Sequence, residues 1–251
     1  MTRDEKVALG RELAARLLER HGEDAIVAVG LHGPVVGAGE DDGAELGVAV
    51  VTADAKIQVP DRVLRHRGLV VDLAAIDQQA YLDEAAHVGP AWPLTADQYV
   101  RTLPLHDPGG FFERLREAHE RGARETGDEV FRGAAGCDLA QALDQEAAAR
   151  RAERAGDAVA ALVAVREAAV LAALTLGLLY RMTWPDAAAA LRAASTVTIP
   201  PGFADAFRLA VAPDSDVALA VAALGESLDA LTELARRDAV PFEADDLDAF
   251  L

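Results

Sequence analysis

The chain has 251 residues, 42 of them acidic and 24 basic, so its formal net charge is −18 at pH 7. This length suits one large domain or two small ones, and so negative a chain repels a phosphate backbone, which argues against a nucleic-acid partner. A single cysteine, Cys137, excludes an intrachain disulfide and a multi-cysteine metal site and predicts a reducing, cytoplasmic setting.

The first half of the chain predicts a sheet with helices on one side. Thr2 and Glu5 form a capping-box pattern, and apolar residues recur at helical spacing up to Gly22. Short apolar runs rich in β-branched residues follow, separated by Gly, Asp and Pro. They predict strands at residues 25–31, 46–51 and 69–73. A helix is predicted at 77–86.

The second half predicts helices only. They fall at residues 111–121, 138–155, 158–181, 184–194 and 214–237. The most apolar run, 158–180, is interrupted by Arg166 and Glu167, which leaves too short a span free of charge for a membrane crossing. We therefore expect an up-and-down helical bundle and no membrane partner.

A motif between residues 92 and 110 carries a family resemblance. It consists of Trp92-Pro93-Leu94-Thr95, then Gln98, Leu103-Pro104 and Asp107-Pro108-Gly109-Gly110. With this spacing the chain resembles the kanamycin (aminoglycoside 4'-) nucleotidyltransferases. The resemblance implies an α+β fold: a nucleotidyltransferase-like mixed sheet with helices at 1–122, followed by an up-and-down helical bundle domain at 123–251. It also implies a homodimer.

The family's metal-binding carboxylates are incomplete here. Nucleotidyl transfer uses carboxylates to hold two Mg²⁺ ions, which neutralise and orient the triphosphate. The resemblance puts Glu45 and Asp72 at the second and third of these positions and Gly43 at the first. Asp42 is adjacent, but a shift of one residue along a strand points a side chain to the opposite face, so its use requires a bulge.

The phosphate-binding turn is altered as well. Residues 30–34 resemble the family's Gly-x-x-Gly-Ser turn, but Pro34 replaces the serine and has no N–H to donate. Gly37 stands where the family has an arginine. We expect Val35 and Val70 to make the cleft apolar, and we expect no metal or cofactor unless the site is active, in which case Asp42, Glu45 and Asp72 would hold Mg²⁺ for ATP.

Further candidates lie in the motif and in the bundle. Gln98 matches a substrate-contacting residue of the family, and Trp92 and Tyr99 are predicted to line the pocket, although core packing explains these aromatic residues equally well. Asp144 or Glu146 corresponds to the family's general base, with a solvated helix face as the alternative. No lysine follows four residues later, where the family has one.

His32 lies in the altered turn and is a candidate acid/base group with Glu45 and Asp72; a packing role is the alternative. Three functions remain open. The chain is expected to bind, or to perform acid/base chemistry without metal on, a small molecule. The alternatives are an active adenylyltransferase dependent on Mg²⁺ and ATP, acting on an aminoglycoside-like substrate, and a non-enzymatic drug-binding dimer.

Overall fold

The computed structural model describes most of the chain. It covers residues 1–36, 45–57, 59 and 61–241. The chain divides into two compact units. One comprises Met1–His87 and Thr95–Glu125, and the other comprises Val88–Leu94 and the chain from Thr126 onward. The predicted boundary between residues 122 and 123 falls inside a helix, and the assignment of domains stays a prediction.

The first unit contains a mixed five-stranded sheet. Its strands are β1 (Ile26–His32), β2 (Glu45–Thr52), β3 (Arg62–His66), β4 (Leu69–Asp77) and β5 (Leu103–His106). Their order is β3-β4-β2-β1-β5; β2 and β4 run parallel, and the other neighbours are antiparallel. The predicted α+β class is therefore confirmed. The edge strands β3 and β5 were not predicted.

Nine helices are described in the two units. They are α1 (Arg3–His21), α2 (Gln78–Ala86), α3 (Trp92–Val100), α4 (Phe111–Glu125), α5 (Asp128–Arg154), α6 (Ala158–Leu179), α7 (Ala187–Ala194), α8 (Phe203–Val211) and α9 (Val217–Arg237). The capping box predicted for α1 is present, since Thr2 Oγ1 accepts from the Glu5 N–H and the Glu5 carboxylate accepts from the Thr2 N–H. Helices α3 and α8 were not predicted.

Apolar side chains cover both faces of the sheet. On one face, Leu46, Val48 and Val50 of β2 join a core that includes Leu9 of α1. The alternate residues of β2 point the other way, where Val51 joins a second core with residues from α2 and α4. The expectation of helices on one side only is wrong, because α1 covers the face opposite α2 and α4.

The second unit is built from helices. Its longest members, α5 and α6, pack against each other and against α9. Within the described residues, α6 alone is long and apolar enough to cross a membrane, yet 56% of its apolar window is buried inside the protein. This burial agrees with the predicted bundle helix.

Candidate functional site

The polar candidates of the first unit meet at one end of the sheet. In the strand register, Gly47 of β2 lies between His32 of β1 and Asp72 of β4. Residues directly opposite each other in a sheet point to the same face, so His32 and Asp72 flank Gly47 on one face. Glu45 precedes Gly47 by two residues and shares that face. We call His32, Glu45 and Asp72 the polar cluster.

Gly47 makes room for the imidazole of His32. A Cβ atom at residue 47 would lie 2.6 to 2.9 Å from three ring atoms of His32, closer than carbon and nitrogen atoms approach without a bond. The ring therefore lies directly over the backbone of β2. Sequence reasoning did not single out Gly47, and the signal was a glycine inside an otherwise apolar strand, which often marks a close approach.

Burial and charge act in opposite directions on His32. Burial lowers its pKa below 6.5, while the negative charges of Asp72, then Glu45, then Asp97 act to raise it. The net result is a lowered pKa, so the imidazole is neutral at pH 7 and can accept a proton. Sequence reasoning missed Asp97 of α3, although it is adjacent to Gln98 in the motif.

The polar cluster opens toward solvent at one side. Glu45 is exposed, whereas His32 and Asp72 are half-buried. Val70 is half-buried, is in register with Glu45, and shares the face of Asp72; its role as a residue lining the site stays a prediction. The same face becomes apolar farther along, where Val51 enters the core.

The turn after β1 is closed by packing. Residues Pro34–Val36 form one turn of 3-10 helix, in which the Val36 N–H donates to the Gly33 carbonyl over 3.1 Å. The Arg3 Nε donates to the carbonyl of Val35 over 2.8 Å. Val35 is 0% exposed and lies in the core shared with α1, so the prediction that it lines the site is corrected: no surface of Val35 is open to a ligand.

The two aromatic candidates are packed in cores. Tyr99 is 2% exposed, and its hydroxyl donates to Glu84 over 3.1 Å. Trp92 is 5% exposed and meets the ring of Phe131 edge-on at 5.3 Å. The structure therefore favours the packing alternative for both residues, while Gln98 is half-buried.

The Asp-x-Gly-Gly part of the motif has a structural role. The carboxylate of Asp107 accepts from the N–H groups of Phe111 and Phe112 over 2.6 and 3.1 Å. These are orphan donors at the start of α4, so Asp107 caps that helix. Gly110 has a φ of +64°, a conformation that favours glycine.

The two bundle candidates differ in their surroundings. Asp144 is exposed on α5. Glu146 is ion-paired with Arg150, four residues later on the same helix, and its Oε1 would lie 3.1 Å from a Cβ atom placed on Gly225 of α9. No lysine follows Glu146 at that spacing, but Arg150 supplies a cation there.

The metal candidates are only partly described. Asp42, Gly43 and Gly37 lie outside the described residues. Across residues 1–36, 45–57, 59 and 61–241, no group of three or more His, Cys, Asp or Glu side chains is placed to hold a metal ion. Glu45 and Asp72 are the members of the predicted set whose positions are described.

Comparisons with known proteins agree with the motif. The chain is 26% identical over 119 residues to an aminoglycoside nucleotidyltransferase (4') of Staphylococcus aureus, and equally to a protein of the same name from a Bacillus species. The resemblance to this family is confirmed. The match spans 46% of this chain and 45% of the length of each relative.

Family models and solved structures were also compared with the chain. No protein-family model matches the chain. The crystal structure of a nucleotidyltransferase-like protein from Exiguobacterium sibiricum 255-15 aligns with 91% of this chain and 76% of that chain, with a TM-score of 0.48 and 13% identity.

Proposed function

We propose that the polar cluster binds a small uncharged or weakly basic molecule, and that His32 exchanges a proton with it. The observation that carries this proposal is the place of the imidazole, which lies over Gly47 of β2, the strand that bears Glu45, and next to β4, the strand that bears Asp72. A ligand at this end of the sheet would meet one neutral base and two carboxylates.

His32 suits proton transfer near neutral pH. Its lowered pKa leaves the imidazole able to accept a proton from a bound ligand. The imidazolium that forms is stabilised by Asp72, Glu45 and Asp97, whose charges favour the protonated ring. The proton can then return to another atom of the same ligand, so the cycle needs no metal.

We further propose that the chain no longer transfers AMP. Gly43 supplies no carboxylate at the first metal position, and Pro34 supplies no N–H to a phosphate. The N–H of Val36 already donates to the Gly33 carbonyl, and the buried Val35 with the bond from Arg3 to its carbonyl oxygen holds the turn in that form. Charge positioning dominates phosphoryl and nucleotidyl transfer, so these losses act on the same step.

Adenylyl transfer with Mg²⁺ and ATP is the second candidate. It is favoured by one observation, that Glu45 and Asp72 lie on the same face of neighbouring parallel strands. The names of the matched relatives point the same way. In that case Asp42 would complete the metal set, and the substrate would be aminoglycoside-like.

Calorimetry with Mg²⁺ and ATP separates the two candidates. We expect no measurable heat of binding for the natural chain and no pyrophosphate release with kanamycin present. Gly43→Asp, which supplies the missing carboxylate, should create Mg²⁺-dependent ATP binding. Pyrophosphate release by the natural chain, abolished in Asp42→Ala, would instead establish adenylyl transfer.

A ligand screen tests the binding proposal directly. We expect at least one compound of an uncharged or weakly basic metabolite library to raise the melting temperature of the natural protein. His32→Gln and Asp72→Asn should lose that response, whereas Asp83→Asn, an exposed carboxylate on α2, should keep it. A response that survives both cluster variants would place the ligand elsewhere.

The assembly and compartment follow from the resemblance and composition. We propose a cytoplasmic homodimer, and the exposed apolar residues Val159, Leu162 and Val163 on α6 support a partner for that helix. Multi-angle light scattering at micromolar concentration checks the dimer. A ligand from the screen that is never turned over would favour the non-enzymatic drug-binding dimer.

A further inference from the structure

The helical unit contains a second cleft with its own charge pattern. It lies where the start of α5 meets the end of α6 and the residue that follows α9, and its volume is about 340 Å³. Ligand pockets in proteins typically measure roughly 300–1,000 Å³, so the cleft is large enough for a small organic molecule. Its polar lining is Asp128, Arg132, Arg181 and Asp238, and its apolar lining is Phe131, Leu178 and Leu179.

One wall of the cleft is a fixed stack. The guanidinium carbon of Arg181 lies 4.3 Å from the centre of the Phe131 ring, and Nη2 of Arg181 lies 2.6 Å from Oδ1 of Asp128. Phe131 is itself held edge-on by Trp92. Arg181 also has a φ of +52°, which few residues other than glycine adopt. The stack on Phe131 and the ion pair with Asp128 therefore orient the guanidinium at the wall.

Arg132 differs from the other charged groups of the cleft. Asp128 is matched by Arg181, and Asp238 by Arg237, whose Nε lies 2.9 Å from Oδ1 of Asp238. Across the described residues, no carboxylate pairs with Arg132, which is half-buried. A half-buried guanidinium beside apolar side chains gains from an anionic partner.

We propose that this cleft binds a small organic monocarboxylate with an apolar, planar body. The carboxylate would pair with Arg132, and the body would lie against the Arg181–Phe131 stack and Leu179. A single negative charge is specified because the chain carries a net charge of −18, which disfavours polyanions such as nucleotides. No residue of the polar cluster lines this cleft.

Benzoate is the probe that tests this assignment. Its binding is measured by saturation-transfer NMR and by calorimetry. We expect benzoate to bind the natural protein, and benzamide, which has the same shape without the charge, to bind roughly ten- to a hundredfold more weakly, since a charge-assisted hydrogen bond is lost. Inorganic phosphate should not compete. Benzamide binding equal to benzoate, or displacement by phosphate, would contradict the proposal.

Variants locate the site. Arg132→Gln should weaken benzoate by the same roughly ten- to a hundredfold factor. Arg151→Gln is the matched control, an exposed arginine about 28 Å farther along α5, and should bind as the natural protein does. Circular dichroism verifies that both fold. Asp72→Asn, in the polar cluster, should not change the binding of benzoate. The assignment would be overturned by unchanged binding in Arg132→Gln, or by no binding of benzoate to the natural protein at millimolar concentration.

Discussion

Two ionisable side chains are withdrawn from solvent in different regions of the molecule, and their neighbours differ. His32 lies at the end of the sheet with Asp72, Glu45 and Asp97, whose charges offset part of the effect of burial on its pKa. Asp138 is 2% exposed on α5, and its Oδ2 has no hydrogen-bond partner among the described residues. Burial raises the pKa of Asp138 to about 7. His32, with carboxylates nearby, can still gain and lose a proton. Asp138, buried without such partners among the described residues, lowers stability when it is ionised.

The largest expected effect is at Asp138. Because its folded-state pKa lies above the unfolded value of 3.8, the folded protein keeps a proton that the unfolded chain has released. Stability is therefore lost as pH rises from about 4 to about 7. Asp138→Asn removes this dependence. We expect its advantage over the natural protein to grow by about 2 kcal/mol between roughly pH 5.5 and pH 8.

Urea unfolding at several pH values measures that advantage. Asp144→Asn, an exposed carboxylate on the same helix, is the control and should show no such growth. An advantage of Asp138→Asn that is the same at both ends of the range would mean that the carboxyl is not buried in its neutral form.

Asp138 also shows where sequence reasoning failed. The sequence predicts a helix at 138–155, but α5 begins at Asp128 and carries Gly133 and Gly136 within it. Gly136 permits a close approach of the Pro241 carbonyl oxygen, a tertiary contact that no local pattern reveals. Helical propensity is overridden by packing at such positions.

The missed elements have physical reasons of their own. Strand β3 is exposed at four of its five residues, so it lacks the alternation of apolar and polar residues that marks a half-buried strand. Strand β5 contains Pro104, which an edge strand tolerates. Helix α3 has Pro93 in its first turn, where the missing N–H costs nothing. In contrast, the assignment of Glu45 and Asp72 to metal positions comes from the family resemblance and stays a prediction.

Two glycines of the sheet sharpen the contrast between packing and function. A Cβ atom on Gly30 would lie 2.7 Å from the buried ring of Phe112, whereas one on Gly47 would meet the half-buried ring of His32. Gly30→Ala should lower the free energy of unfolding by about 1–3 kcal/mol through overpacking. Gly47→Ala should cost less, because an imidazole can rotate away, but it should displace His32.

Urea unfolding and imidazole NMR read out the two effects separately. We expect Gly30→Ala to lower stability without shifting the His32 resonances, and Gly47→Ala to lower stability less while shifting them. If Gly47→Ala leaves the His32 resonances in place, the ring does not lie over β2 in solution.

Asp107 differs from both His32 and Asp138, because its carboxylate accepts hydrogen bonds from backbone N–H groups. Asp107→Ala removes both acceptors at the start of α4, so we expect a loss of about 1 kcal/mol in the free energy of unfolding. Asp107→Asn should recover part of it, since an amide oxygen also caps a helix. A loss of ligand binding in Asp107→Ala without any loss of stability would make the motif functional rather than structural.

The smallest expected effects concern the charges around His32. Each carboxylate raises the pKa of the imidazole in the order Asp72, Glu45, Asp97, so neutralising them one at a time should lower that pKa by amounts in the same order. NMR titration of the His32 ring in Asp72→Asn, Glu45→Gln and Asp97→Asn measures all three. The ring resonances of His21, the last residue of α1, serve as the internal reference. The order matters because the family resemblance implies metal positions at Asp72 and Glu45 and none at Asp97. If Asp97→Asn gives the largest pKa shift, the imidazole of His32 is turned toward α3. A ligand that gives its proton to His32 would then bind away from Glu45 of β2 and Asp72 of β4.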